Sequence, residues 1–233
     1  MKCVILAAGE GIRMRPLTDN THKSMLKVWG RPILEHILSD LPSEIDEVIL
    51  VVGYFKENII NYLGNEFGNL KIKYVEQKQK LGTYKALELC NGMLKENEKF
   101  MMLYADDLHG AEGLKECVNC GQNAILVYEA DEPEKFGVIE IGGDGMVIGI
   151  EEKPENPKTN LVSTGALVLD KKIFDFPAKR HKNGEYYLTD SVEQMIEAGY
   201  KFKAIKSSSW IPIGYPEDIS KAETILLTSD ENN

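Results

Sequence analysis

Three short runs made almost wholly of apolar residues recur through the first half of this chain: 4–7, 48–52 and 100–104. A strand with no polar face must be covered on both sides. Segments with helical spacing lie between these runs. Pro32 opens one that carries Ile33, Ile37 and Leu41, and residues 56–64 read as a second. Residues 71–75 alternate like a strand. Residues 82–94 read as a helix with Ala86, Leu87, Cys90 and Leu94 on one side. Strand, helix, strand, helix in this order predicts parallel strands joined by crossovers.

The second half changes character. Residues 124–128 and 161–169 read as strands, and 137–141 pairs with 147–150 around the hairpin signal GGDG. Helices are predicted at 188–198 and 219–227, with TSDENN as a fraying tail. The expected fold class is therefore α/β: a Rossmann-like mixed, mostly parallel sheet with helices on both faces and a smaller antiparallel lobe. No linker, repeat or charge block divides residues 1–233. They read as one domain, with one lobe at 1–110 and another at 111–233.

Charge excludes some partners. The chain carries 27 Lys and Arg against 37 Asp and Glu, a net charge of -10. A general nucleic-acid binder needs a broad basic surface, so none is expected as a partner. No apolar run approaches the roughly 18 residues of a membrane span. The opening apolar run is too short for a secretory leader and reads as a strand. The four cysteines (Cys3, Cys90, Cys117, Cys120) are irregularly spaced. That argues against a disulfide scaffold and for a reducing cytoplasm. Cys117 and Cys120 lack a second ligand pair, and they read as small apolar residues near a helix end.

Against that acidic background, residues 9–31 stand out. They hold Arg13, Arg15, Lys23, Lys27 and Arg31 but only Glu10 and Asp19. The stretch follows the first buried strand and begins with Gly9 and Gly11, where backbone N–H groups can approach an anion. Such a cationic loop at the carboxyl edge of a parallel sheet suits a phosphate, although a solvated basic loop has the same composition. It is neither a dinucleotide fingerprint, whose third glycine position is Met14, nor a Walker A motif. Asp106 ends the strand 100–104 at the same edge, and beside phosphates a lone carboxylate makes sense as a magnesium ligand. Capping of a helix at 109–117 by Asp106 or Asp107 is the competing role. Glu152 and Lys153 follow the strand 147–150, as a hydroxyl acceptor and a point cation for a second phosphate, or as a surface ion pair.

Taken in order, these segments resemble the sugar-1-phosphate nucleotidylyltransferases: the glucose-1-phosphate thymidylyl-, mannose-1-phosphate guanylyl- and N-acetylglucosamine-1-phosphate uridylyltransferases. The matching pieces are LAAGEGIRM, PLT, Lys23-Ser24, Leu81-Gly82-Thr83, Ala105-Asp106, Phe136-Gly137-Val138, Glu152-Lys153-Pro154, Ser163-Thr164-Gly165, and Gly184-Glu185 to Thr189-Asp190. The resemblance covers residues 1 to about 222.

It implies transfer of a nucleotidyl group from a nucleoside triphosphate to a sugar-1-phosphate, with pyrophosphate leaving. Arg13 and Lys23 would be catalytic. Leu6, Ala7, Ala8, Gly9, Gly11, Gln77, Gly82 and Thr83 would hold the nucleotide, and Asp106 would ligate Mg2+. Gly137, Glu152, Lys153, Ser163 and Thr164 would hold the sugar phosphate. Gln77 with Gly82 resembles the pyrimidine-reading arrangement, which favours UTP or dTTP over GTP. The alternatives are a non-sugar acceptor such as phosphocholine and a degenerate nucleotide-sugar-binding regulatory subunit. Members of the family often form dimers or tetramers, so a homo-oligomer is compatible with the reading.

The chain departs from the family in three places. Ala105 replaces a glycine, which is tolerable if its φ is negative. Ser24 and Lys27 replace prolines. Pro212 stands where an aspartate usually supplies a second metal ligand, leaving Asp106 with phosphate oxygens and waters, or with help from Asp107. On the length of 233 residues, the β-helical acyltransferase domain of bifunctional members is not expected. No Ser-His-Asp or Cys-His set is seen, and His22, His36, His109 and His181 read as structural or surface residues.

Overall fold

The computed structural model describes residues 1–230. Ten strands form one mixed sheet: β1 (Lys2–Ala7), β2 (Glu47–Val52), β3 (Glu66–Phe67), β4 (Leu70–Glu76), β5 (Lys99–Tyr104), β6 (Asn123–Glu129), β7 (Gly137–Ile141), β8 (Val147–Glu152), β9 (Leu161–Asp170) and β10 (Phe202–Lys206). The order along the sheet is β8-β7-β9-β5-β1-β2-β4-β3, with β6 paired to β9 and β10 paired to β6. The centre, β4-β2-β1-β5, is parallel, whereas β5-β9, β9-β6, β7-β9 and β7-β8 are antiparallel. The antiparallel strands thus extend the same sheet.

Period-two alternation explains why this sheet needs cover on both sides. In β1, Cys3, Ile5 and Ala7 join one core while Val4 joins the other. In β2, Val48, Leu50 and Val52 face the first core, and Ile49 and Val51 the second. Six helices supply the cover: α1 (Ile33–Ser39), α2 (Lys56–Leu63), α3 (Thr83–Glu88), α4 (Ala111–Asn119), α5 (Leu188–Glu197) and α6 (Pro216–Asp230). Helices α1, α2 and α4 line the first core, and α3 and α5 the second. On α1, Ile33, Leu34, Ile37 and Leu38 are buried. Each such side chain contributes about 1.5–3 kcal/mol, which holds this short helix without a side-chain cap.

Three boundaries differ from expectation. The helix predicted at 82–94 is α3 followed by a 3-10 turn at Asn91–Met93. Asn91 and Gly92 are poor helix formers, while the apolar positions stay on one side. The helix predicted from 109 begins two residues later, and neither Asp106 nor Asp107 caps it. Gly110 occupies the N-cap, and no side chain caps the end. The closing helix runs to Asp230, so only 231–233 of the expected tail lie outside the described residues.

Parallel register fixes where the site forms. Leu6 is opposite Tyr104, Ala7 opposite Val52, and Val52 opposite Glu76. The carboxyl ends of β1, β2, β4 and β5 are therefore level. The Ala105 N–H extends the ladder to the Leu6 carbonyl at 3.2 Å, and Gln77 N–H to Val52 at 2.8 Å. Gly9, Gln77 and Asp106 all leave the sheet at one edge, where α/β folds bind ligands.

Candidate active site

A cleft of about 530 Å³ opens at that edge. Its wall contains Leu6, Ala7, Ala8, Gly9, Gly11, Arg13, Lys23, Gln77, Gly82, Thr83, Asp106, Glu152 and Lys153. It also contains Glu10, His22, Ser24, Lys80, Tyr104, Glu185, Tyr187 and Gly214. Gly137, Ser163 and Thr164 do not line it. Gly137 sits in β7 opposite Glu152, and a Cβ there would meet the Thr189 methyl at 3.1 Å. The Ser163 Oγ accepts the Gly165 N–H at 3.3 Å. Thr164 is buried and donates to the Leu126 carbonyl at 3.0 Å. The Thr164 hydroxyl is thus engaged internally, whereas Ser163 Oγ only accepts and keeps its proton to donate.

Lys23 and Asp106 are the centre of the charge arrangement. The Lys23 Nζ lies 2.6 Å from Asp106 Oδ2, although the residues are 83 apart in sequence. Lys23 is only 7% exposed, whereas the Asp106 side chain keeps 38% of its surface. Burial pushes the Asp106 carboxyl up, but Lys23, then Arg13, hold it net below the ordinary carboxylate range. Asp107 behaves oppositely. Burial and the neighbouring Asp106 charge raise its carboxyl well above the usual value. It pairs with Pro212 in a two-residue ribbon and does not line the cleft, so it does not stand in for the missing second carboxylate.

Gly11 explains how a lysine is buried there. Its φ is +62°, and an added Cβ would lie 3.0 Å from Lys23 Cβ and 3.1 Å from the Thr18 methyl. Buried Thr18 donates to the Gly11 carbonyl at 2.8 Å. The glycine thus provides both the left-handed turn and the channel for the lysine stem. Arg13, at the cleft mouth, rests with its guanidinium 5.0 Å from the centre of the Tyr215 ring. Among the described residues no carboxylate pairs with it. Ala105 is not among the positive-φ residues, so the alanine fits without strain.

The far wall comes from the second half of the chain. Thr189 donates to Glu152 Oε2 at 3.1 Å, and Lys153 Nζ stands 3.3 Å from Glu152 Oε1 and 5.6 Å from the Tyr187 ring centre. The Gln77 amide donates to the Gly82 carbonyl at 3.3 Å. Lys80 pairs with Glu10 across the mouth. Gly82, φ +93°, lies so close to residue 186 that a Cβ would be 2.5 Å from the Tyr186 carbonyl oxygen. Tyr84 N–H also donates to that oxygen, and Tyr186 N–H to the Leu81 carbonyl. These contacts join the two walls of the cleft.

His22, Lys80, Tyr104 and Tyr187 reach the wall without having been singled out by the sequence. The Glu185–Tyr187 part of the matched motif was the available signal for Tyr187. For His22 the signal was adjacency to Lys23.

A parallel-centred sheet with a basic, glycine-containing loop and Asp106 at its carboxyl edge defines an α/β protein with its cleft at the strand ends. The chain belongs to the nucleotidyl transferase family, whose model matches residues 2–229. It is 36% identical over 230 residues to the bifunctional protein GlmU of Methanocaldococcus jannaschii, covering 97% of this chain and 54% of that one. It thus spans about half the length of those curated relatives. It is also 36% identical over 242 residues to the UTP–glucose-1-phosphate uridylyltransferase AglF of Haloferax volcanii, covering 97% of this chain and 96% of that one. A crystal structure from Bacillus anthracis described as a glucose-1-phosphate thymidylyltransferase superposes with TM-score 0.85 at 28% identity, over 97% of this chain and 94% of that one. A UDP-glucose pyrophosphorylase structure shares the fold, with TM-score 0.84 at 23% identity over 98% of each chain.

Proposed function

We propose that this chain transfers a nucleotidyl group from a nucleoside triphosphate to a sugar-1-phosphate, giving an NDP-sugar and pyrophosphate. The observation that carries the reading is the cleft itself. It gathers Arg13 and Lys23 of one loop with Asp106 and Lys153, three distant segments of an acidic chain, around one cleft. A degenerate binding subunit would not need the full set. The likeness to AglF and to the thymidylyltransferase structure favours a sugar phosphate over an alcohol phosphate. The Gln77 amide, with an acceptor and a donor on one edge, suits the imide edge of uracil or thymine.

The sugar-phosphate oxygen attacks the α-phosphorus in line as pyrophosphate leaves. The nucleophile is already an anion, so no general base is required. The chain's task is to hold two mutually repelling anions in reacting geometry, a contribution of roughly 7–11 kcal/mol when fully expressed. The loop 8–11 offers backbone N–H groups to the triphosphate. Lys23 contacts the oxygens around the α-phosphorus, and Arg13 meets the departing pyrophosphate. Lys153 holds the sugar's phosphate while Glu152 accepts from its hydroxyls.

Magnesium fits the donor set. Asp106 Oδ2 is engaged by Lys23, while none of the described residues donates to Oδ1. A single protein carboxylate suffices for an ion that keeps waters and phosphate oxygens. Bound there, it supplies charge neutralisation at the phosphates.

Among the described residues no helix is long and apolar enough to cross a membrane. All four cysteines are free thiols, in keeping with a reducing cytoplasm. The test is a pyrophosphate-release screen of UTP, dTTP, GTP and CTP against glucose-1-phosphate, N-acetylglucosamine-1-phosphate, mannose-1-phosphate and phosphocholine. Turnover with UTP or dTTP and a sugar phosphate, abolished in Asp106→Ala, is expected. Nucleotide binding without turnover on any acceptor refutes the enzymatic reading.

A further inference from the structure

Glu10 is one of only two acidic residues in the basic stretch 9–31, and it sits between Gly9 and Gly11. A carboxylate at that point opposes any anion that the loop's N–H groups attract. Its partner is Lys80, from the loop between β4 and α3. Both side chains line the cleft, and they meet across its mouth. Burial fixes neither of them: Lys80 keeps 53% of its side-chain surface and Glu10 25%. Such a pair is weak, because water and salt screen it. The Lys80 ammonium also stands 5.8 Å from the centre of the Tyr54 ring.

The backbone on both sides leaves room for the pair to part. A Cβ at Gly9 would meet nothing within 4 Å, and Gly11 supplies a left-handed turn at φ +62°. In the facing loop, the Gln77 N–H donates to the Val52 carbonyl and the Tyr186 N–H to the Leu81 carbonyl, both at 2.8 Å. Among the described residues no backbone hydrogen bond holds 78–80. That loop is therefore anchored at its ends and free at the residue that carries the ammonium.

We infer that Lys80 is a substrate-binding cation held in reserve by Glu10: a triphosphate seated on the Gly9–Gly11 loop takes the ammonium from the carboxylate, and Lys80 then ties the 77–82 loop to the phosphates. This rests on the proposed nucleotide site and adds to it both a cation and the internal anion that competes for it. Several phosphate charges outweigh one carboxylate, so the exchange favours a polyphosphate. The released carboxylate, already part-exposed, turns to water. Gln77 and Gly82, at the two ends of the same loop, are drawn toward the nucleotide by the contact.

Calorimetric titration with inorganic tripolyphosphate and with Mg–UTP measures the exchange. Glu10→Gln is expected to bind both probes about threefold more tightly than wild type, since no pair has to break. Lys80→Gln is expected to bind both about tenfold more weakly, and Lys80→Arg to recover most of that loss. A charge anywhere near the cleft gives those signs, so the double variant decides whether Lys80 touches the ligand. Direct contact makes the Lys80→Gln loss about threefold larger in the Glu10→Gln background than in wild type. In protein labelled at the lysine Nζ, the bound-state Lys80 resonance is expected to be the same in wild type and Glu10→Gln. An ammonium that stays on Glu10 gives two different positions. Without ligand, the thermal midpoints of all these proteins are expected to lie close together, as an exposed pair adds little stability. Equal Lys80→Gln losses in both backgrounds, two distinct bound resonances, or wild-type affinity in Lys80→Gln overturn the inference. If Lys23→Ala also binds both probes as wild type does, the nucleotide reading of the cleft falls with it. If only Lys23→Ala is impaired, the Lys80 exchange alone is refuted.

Discussion

Lys23 is a buried cation whose carboxylate partner, Asp106, is also the group proposed to meet magnesium. That sharing makes the pair sensitive to either member. Lys23→Ala removes a donor at the reacting phosphate, and turnover should fall by about 10²–10³-fold with little change in fold. The same substitution should move Asp106. Its carboxyl is depressed only because Lys23 and its neighbours outweigh burial. Without Lys23 burial gains weight, so in metal-free protein a carboxyl-carbon titration should show Asp106 titrating at higher pH than in wild type. The linkage sign follows. Asp106 has a lowered folded-state pKa, so its stabilising contribution is present at neutral pH and is lost as pH falls through that value. Acid unfolding of wild type and Lys23→Ala, followed by circular dichroism, should converge at low pH and diverge at neutral pH.

The loop between β4 and α3 is the element on which both sides of the cleft meet. Gly82 has a positive φ, and its Cα approaches the Tyr186 backbone too closely for any side chain. Gly82→Ala should therefore destabilise the protein by about 2 kcal/mol or more, seen as a lower denaturation midpoint. It should also raise the KM for both substrates, because the loop touches both walls. The strands were the most legible elements, since an unbroken apolar run such as 48–52 has few other uses in a chain of this composition. Helix α3 was less so. Its apolar positions continue past Glu88 at helical spacing, and only the weak helix propensity of Asn91-Gly92 marks the break.

Ser163 and Thr164 exceed what pattern can supply. They lie where β9 is paired with β6 on one side and β7 on the other, and its register against β6 shifts between Ser163 and Leu167. Four residues of β9 run there against two of β6, and no periodicity announces the excess. The wall residues that were legible are the charged and glycine positions of the loops, where residue type itself carries the chemistry. His22 was not, because nothing in the residue order announces that its Nδ1 caps the turn Lys23–Met25.

At the scale of the molecule, a cluster of cations works inside a chain of net charge -10. On the proposed reading, substrate polyanions approach an acidic body and meet Arg13, Lys23, Lys80 and Lys153 in a cleft that also holds Glu10, Asp106, Glu152 and Glu185. Binding should stabilise the fold through the phosphates more than through the base. Saturating Mg–UTP should raise the melting midpoint, by about 2.7 kcal/mol of stabilisation at a hundredfold excess over Kd. Uridine at the same concentration should leave it nearly unchanged. An equal shift from uridine would mean that the cationic loop is not the anchor.

Strand β9 has a consequence for how the polypeptide can be cut. Its Ala166–Asp170 half is zipped to Lys99–Leu103 of the first half, while Leu161–Ser163 is bonded to β6. Severing the backbone near residue 110 therefore yields two fragments, each with an open edge in place of a finished surface. Neither piece should accumulate as a well-behaved soluble product on its own. Co-expressed, the two should reassemble by strand complementation and regain the cleft.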